Sequence, residues 1–188
     1  MSKFEDGKIT ELVPAQSFTV KSLNAAKLGA TDKKAMDAFC KKVSELQRAS
    51  SAGNAYLSEL SNKLKYFKTA IIDAPDQLSG STEQLAAIEK RIVDVNTKMN
   101  GDATLSRREF ETVPSITGRI GTIEGTLWTS SSAPTSTALQ SYDVVASQFA
   151  SVLAEIKSID AEIKKAEVTL ENNKAPYTPG RMPVWENK

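Results

Sequence analysis

The sequence has no histidine and a single cysteine, Cys40, in 188 residues. The lack of histidine excludes Ser-His-Asp and Cys-His arrangements, histidine general bases and histidine metal ligands. One cysteine excludes an internal disulfide and a cysteine-based zinc site. Cys40 follows Phe39 on a predicted inner helix face, so we expect an inert core thiol. We therefore expect the chain not to be an enzyme, with no catalytic, cofactor-binding or metal-binding residues of its own.

An excess of charge of one sign is also lacking. Lysine and arginine total 24 against 23 acidic residues, and the two signs are interspersed. Nucleic-acid binders usually carry a basic stripe, so we expect no nucleic-acid partner. No run approaches the roughly 18 apolar residues of a membrane span. The first eight residues do not form a signal peptide, which leaves open whether Met1 is the native start or the chain continues upstream.

Aromatic residues are scarce, whereas aliphatic residues are not. Only 6% of residues are aromatic although 40% are hydrophobic, so the core must consist mainly of Leu, Ile, Val and Ala. That mixture suits helix-on-helix packing better than a β-sandwich. The sequence therefore predicts an all-α fold.

Two long amphipathic helices are predicted from apolar residues that recur every three or four positions. The first occupies residues 31–74, ends before Pro75 and would be about 60 Å long. Its stripe consists of Met36, Phe39, Val43, Leu46, Gly53, Leu57, Leu60, Leu64, Phe67 and Ile71. The last helix has its stripe at Tyr142, Val145, Phe149, Val152, Ile156, Ile159, Ile163, Ala166 and Leu170. Such stripes form an intramolecular core or, alternatively, a coiled coil with another chain.

Two shorter helices are predicted between the long ones. A capping box at residues 81–84 opens the second, which Asn100 and Gly101 end. The third begins at Pro114 and Ser115, after a connector with a short helix at residues 106–111. Together they nearly match one long helix, which favours an antiparallel bundle of three to four helices whose middle arm is broken near Pro114. The alternative is four separate helices, with the third folded back.

The glycines inside these helices predict close approaches. Gly53 interrupts the first stripe, so it indicates either a close helix contact or a kink. Gly118, Gly121 and Gly125 share one side of the third helix, where another backbone can come close.

The two ends of the chain are predicted to be extended. Residues 1–30 form an arm or linker, with β-prone segments at 9–13 and 17–21 separated by Pro14. This arm needs something to lie against, either the bundle or a neighbouring domain. Residues 31–174 form the bundle. Residues 175–188 contain three prolines and are predicted to run back along it as a strap.

Two groups of residues form the candidate interaction surface. Arg107 and Arg108 can hold a carboxylate or phosphate, or alternatively pair with neighbouring glutamates on a solvated connector. We place Arg119, on the third helix, in the same surface.

The second group combines aromatic rings with an arginine. Trp128, Tyr177, Arg181 and Trp185 are suited to anchoring a partner protein or stacking on the sugar rings of a glycan. Alternatively, they attach the loop and tail to the end of the bundle.

Three ordered phrases carry a family resemblance: ITELVPAQSFTVK at 9–21, LSRREFETVPSITGRIG at 105–121 and YTPGRMPVW at 177–185. Together they resemble the C-terminal region of large secreted bacterial proteins with BNR/sortilin-like β-propellers, often labelled glycosyl hydrolases. The resemblance covers essentially the whole chain but includes no catalytic motif.

The resemblance implies a context for the helices. The propeller and any sugar-cleaving site would lie upstream, residues 1–30 would lead in from a β-rich domain, and the compartment would be extracytoplasmic. We therefore expect a non-catalytic scaffold or interaction module that contacts its own upstream domains, another protein or a glycan. The alternative is a stand-alone helical protein that associates with itself or a partner through its stripes.

Overall fold

The computed structural model describes residues 1–20, 31, 33–74, 78–183 and 185, and it confirms the all-α prediction. Its helices are α1 (Lys33–Ile72), α2 (Ser79–Asn100), α3 (Ala103–Ser106), α4 (Ile116–Thr129) and α5 (Ser136–Asn172). A small antiparallel hairpin of β1 (Ser2–Glu5) and β2 (Lys8–Glu11) precedes them. None of the described helices is long and apolar enough to cross a membrane.

The two long helices, α1 and α5, run parallel to each other. The Tyr56 hydroxyl on α1 donates to the Asp160 carboxylate on α5, 104 residues further along the chain. Lys63 contacts Glu167 at the same separation of 104 residues. When contacting residues of two helices keep the same separation in sequence, the helices run parallel. The helix that runs antiparallel to both must therefore be the middle arm.

The α2 helix runs antiparallel to α1. Lys68, near the end of α1, pairs with Glu89 in the middle of α2. Asn54, in the middle of α1, exchanges amide hydrogen bonds with Asn100, the last residue of α2, at 3.0 and 3.1 Å. The α2 helix therefore covers only the second half of α1.

The α4 helix continues the middle arm where α2 ends. Thr117 Oγ1 donates to the Met99 carbonyl across the break at 2.9 Å. The far end of α4 leads through residues 130–135 into the start of α5, where the Tyr142 ring meets Phe39 of α1 edge to face, with centroids 5.7 Å apart. The α4 helix thus extends towards the start of α1, and the folded-back alternative is wrong.

The predicted stripes are buried within one chain. Buried apolar side chains from α1, α2, α4 and α5 form one cluster, which Leu78 and Ala175 extend at the far end. Gly53 is part of this interface, since a Cβ there would lie 3.5 Å from the Phe149 ring. Gly53 therefore lies at a helix contact, which was one of the two predicted alternatives, but the distance is an ordinary van der Waals contact that leaves room for a Cβ.

The start of α2 differs from its prediction. The helix begins at Ser79, two residues before the predicted capping box, and Leu78 at the N-cap makes no side-chain cap hydrogen bond. Leu78 is 3% exposed, so burial of its side chain fixes the start of the helix in place of the Ser81 hydroxyl.

The short connector helix also lies earlier than predicted. It occupies Ala103–Ser106 rather than 106–111, because Asp102 accepts a hydrogen bond from the Thr104 amide and so begins a helix there. The left-handed backbone of Glu109, with φ of 57°, follows its end.

Candidate interaction surfaces

The structure separates the predicted interaction residues into three places. Trp128 lies at the end of α4, beside the starts of α1 and α5. Tyr177 and Arg181 follow α5, at the opposite end of a 37-residue helix that is about 55 Å long. Arg107 and Arg108 lie near the break in the middle arm. The predicted interaction residues in these three places therefore do not form one continuous surface.

Arg181 is an internal attachment of the tail. Its side chain is 2% exposed and forms an ion pair with Glu171 of α5, and its Nη1 donates to the Pro176 carbonyl at 3.0 Å. The guanidinium also lies over the Tyr177 ring, 5.3 Å from its centroid. The geometry matches the alternative in which Arg181 holds the strap on the bundle.

The strap presents other side chains outwards. Its backbone passes close to α1, where a Cβ on Gly180 would lie 3.5 Å from Lys63 Cε. Tyr177 is 51% exposed and Trp185 is 80% exposed. Trp185 is thus the more exposed of the two tail aromatics.

The predicted basic residues of the connector and α4 have different environments. Arg107 and Arg108 are exposed in the turn after α3, and within the described residues neither forms an ion pair. Arg119 is half-buried on α4, and its Nε has no hydrogen-bond partner among the described residues. The described residues thus show the solvated connector of the alternative prediction, without its arginine–glutamate pairs.

Trp128 lies at the C-terminal end of an exposed face of α4. Its side chain is 89% exposed, and Gly121 and Gly125 precede it by seven and three positions on the same side of the helix. A Cβ on either glycine would meet no atom within 4 Å. The close approach predicted for these glycines therefore does not occur within the described part of the chain.

The N-terminal hairpin is a surface that the sequence prediction missed. A two-residue turn at Asp6 and Gly7, with φ of 50° and 75°, joins its strands. An Asp-Gly pair between β-prone runs is a strong hairpin signal and would have identified it. The second predicted β-segment is not a strand over residues 17–20, and residue 21 lies outside the described residues.

The apolar face of the hairpin carries Phe4 and Ile9 next to Ser2 and Glu11, and the opposite face is charged. Phe4 lies opposite Ile9 in the strand register, and the two are 72% and 76% exposed. On the other face, Lys3 forms an ion pair with Glu5 at 2.7 Å. Every residue of both strands is exposed, so the bundle does not cover the apolar face.

A groove of about 700 Å³ lies at the break in the middle arm. It lies where the connector between α2 and α4, exposed over residues 103–114, passes beside α5. Val95, Ile116 and Val152 form its buried floor. Ser147, Gln148 and Ser151 of α5 line its wall. The volume lies within the range of sites that hold small ligands or short peptide segments.

Carboxylates are the main charged groups of the groove. Asp102, Glu111 and Glu155 line it, with Lys98 as the only lining cation among the described residues. Hydrogen bonds from the Thr104 hydroxyl and amide hold the pKa of Asp102 below its usual value. Glu155 accepts from Arg91 Nε at 2.6 Å, which keeps one of its oxygens engaged. Two of the three carboxylates therefore already have partners.

No metal-binding cluster of three His, Cys, Asp or Glu side chains occurs within the part of the chain that the structure describes. Comparisons of the chain with protein-family models, curated proteins and solved structures gave no match. Function is therefore inferred from the surfaces above and from the sequence resemblance.

Proposed function

We propose that this chain is a non-catalytic helical scaffold that is attached to a β-rich domain through its N-terminal hairpin. The observation that carries this proposal is the exposed pair of Phe4 and Ile9 on one face of the hairpin. A two-stranded hairpin is marginally stable in water and needs further strands or a packed surface. Its unpaired strand edges suit the addition of further β-structure.

The β-rich domain in this proposal is the β-propeller of a larger secreted protein, upstream of the helices, as the sequence resemblance implies. Any sugar-cleaving activity would belong to that propeller, and the compartment would be extracytoplasmic. The helical bundle, whose first helix of 40 residues is about 60 Å long, would project its far end and strap away from the propeller. Trp185, on the strap, would then be free to contact another protein or a glycan, whereas Trp128 lies at the opposite end of the bundle, beside the start of α1.

Self-association is the second candidate, and one observation favours a particular surface for it. The stripes are buried within the chain, so a partner using them would have to displace the core. The exposed face of α4 with Gly121, Gly125 and Trp128 needs no such displacement. A second copy would therefore meet α4 rather than the stripes of α1 or α5.

The mass and location of the native protein test the first candidate. We would raise an antibody against the bundle and probe fractions of the cells that produce the protein. The proposal predicts a band much larger than the 20.4 kDa of this chain, in the extracytoplasmic fraction. A band at 20.4 kDa in the cytoplasmic fraction would overturn it and favour the stand-alone alternative.

A further inference from the structure

We propose that the groove at the break in the middle arm binds an extended peptide segment of a partner protein in which apolar residues alternate with lysine or arginine. This site is separate from the hairpin and does not depend on the attachment proposed above. The shape of the groove, its apolar floor and its excess of carboxylates support such a ligand.

The shape follows from the interruption of the middle arm. The α2 helix ends at Asn100 and α4 begins at Ile116, while residues 103–114 between them form an exposed bypass. Two aliphatic side chains of this bypass, Leu105 and Val113, line the groove and are 40% and 78% exposed. Exposed aliphatic groups around a concave surface mark binding sites, because burying them on a ligand is favourable.

The wall provides groups that match a peptide backbone. Ser147 and Gln148 are exposed on α5, and their hydroxyl and amide can each donate and accept a hydrogen bond. Ser151 donates its hydroxyl to the Ser147 carbonyl at 3.3 Å. An extended segment has unpaired N–H and C=O groups that Ser147 and Gln148 can satisfy.

Charge selects the side chains of the segment. Glu155 is already paired with Arg91, which leaves the carboxylates of Asp102 and Glu111 against the one amine of Lys98, so a cationic residue is attracted and an acidic one repelled. Glu111 is exposed and has no ion pair within the described part of the chain, which makes it the available carboxylate. Arg107 and Arg108 are exposed nearby but do not line the groove.

The test is a titration of the ¹⁵N-labelled full chain, followed by NMR, with a capped hexapeptide that alternates leucine and lysine. We expect the largest shifts at the amides of Val113, Ser147, Gln148 and Ser151. Two matched peptides serve as controls: glutamate replaces lysine in one, and serine replaces leucine in the other. We expect both to bind at least about fivefold more weakly, since each loses one of the two attractions.

Two variants locate the site. Glu111→Lys should weaken binding about three- to fivefold, whereas Glu59→Lys on an exposed part of α1 should not change it. Ser147→Trp should fill the groove and abolish binding, whereas Ser44→Trp, also exposed on a long helix, should not. Because Glu111 lies on an exposed connector, its variant remains informative if Ser147→Trp fails to fold.

Three results would overturn the proposal: no shifts at millimolar peptide, equal shifts with the leucine–glutamate peptide, or unchanged binding in both groove variants. None of them would affect the attachment through the hairpin, which involves different residues. Conversely, a native band at 20.4 kDa would remove the propeller context and leave the groove result intact.

Discussion

The Tyr56 hydroxyl on α1 donates a 2.6 Å hydrogen bond to the Asp160 carboxylate on α5. Asp160 also accepts from Lys164, one turn further along α5, at 2.7 Å. The three side chains lie where the two parallel helices meet and help to set their register. This contact makes the helix arrangement testable by substitution.

Tyr56→Phe removes the hydroxyl and keeps the ring. We expect the free energy of unfolding to fall by about 1 kcal/mol, the usual net contribution of a hydrogen bond to a charged acceptor that remains partly hydrated. Urea denaturation measures it. Tyr66→Phe is the matched control, because Tyr66 is also about half exposed on α1. An equal loss in both variants would show that the Tyr56–Asp160 bond does not stabilise the bundle.

The Asp160 carboxylate gives the bundle a pH dependence in acid. Hydrogen bonds from Lys164 and then Tyr56 hold the pKa of Asp160 below its usual value of 3.8. A carboxylate with a lowered folded-state pKa stabilises the fold above its unfolded-state pKa, and this stabilisation is lost as the pH falls through the folded-state pKa. We expect the stability difference between the native chain and Asp160→Asn to be largest near neutral pH and to shrink below about pH 4.

Urea denaturation of both proteins at pH 7 and pH 3 measures this change. Asp143→Asn, an exposed position earlier on α5, serves as the control and should show little difference from the native chain at either pH. If the Asp160→Asn difference is the same at both pH values, the carboxylate is not the cause.

The ion pair of the strap is asymmetric, because Arg181 is buried and Glu171 is 38% exposed. Glu171→Ala leaves a buried guanidinium without its counter-ion, whereas Arg181→Met leaves a carboxylate that water can reach. We therefore expect Glu171→Ala to cost about 2–3 kcal/mol and Arg181→Met about 1 kcal/mol. Chemical denaturation of the two variants gives the order, and the reverse order would contradict a buried Arg181.

The helix glycines differ in their surroundings, and alanine substitution should reveal this. Gly121→Ala and Gly125→Ala place a Cβ in open space, so each should stabilise the bundle by about 0.5–1 kcal/mol. Gly53→Ala gives ordinary contact with Phe149 and should also be tolerated, whereas Gly53→Leu should destabilise by about 2 kcal/mol or more through overpacking. Thermal unfolding separates these outcomes. Destabilisation by Gly121→Ala together with a loss of dimer would favour self-association through α4.

The sequence predicted the helices well where one periodic face is buried along its whole length. The α1 helix begins and ends within two residues of its predicted bounds, and α5 contains the whole predicted stripe from Tyr142 to Leu170, because the apolar stripe and the flanking breakers agree there. The same holds for the Ser115 cap, whose hydroxyl accepts from the Gly118 amide as its position before α4 suggests. Local signals and tertiary packing point to the same boundaries at these places.

The prediction was weaker where tertiary contacts compete with local signals. The α2 helix begins before the capping box at Ser81, because Leu78 is buried at its start. Local sequence signals do not report the burial of a side chain against other helices. Burial of Arg181 depends on how the strap meets α5, so sequence alone left it as a surface candidate. The groove could not be predicted either, because it exists only where the connector between α2 and α4 passes beside α5. The hairpin, by contrast, could have been predicted from the Asp6-Gly7 pair, although the sequence prediction missed it.

The central claim is that a β-rich domain covers the apolar face of the hairpin, and site-specific photo-crosslinking tests it most directly. A photoreactive phenylalanine analogue would replace Phe4 in the producing cells, with the same analogue at Lys3 on the opposite face as control. The account predicts strong crosslinks from position 4, and few from position 3, to a β-rich domain identified by mass spectrometry. Crosslinks from position 4 to the helices of this chain or of a second copy, or equal yields from both positions, would contradict it.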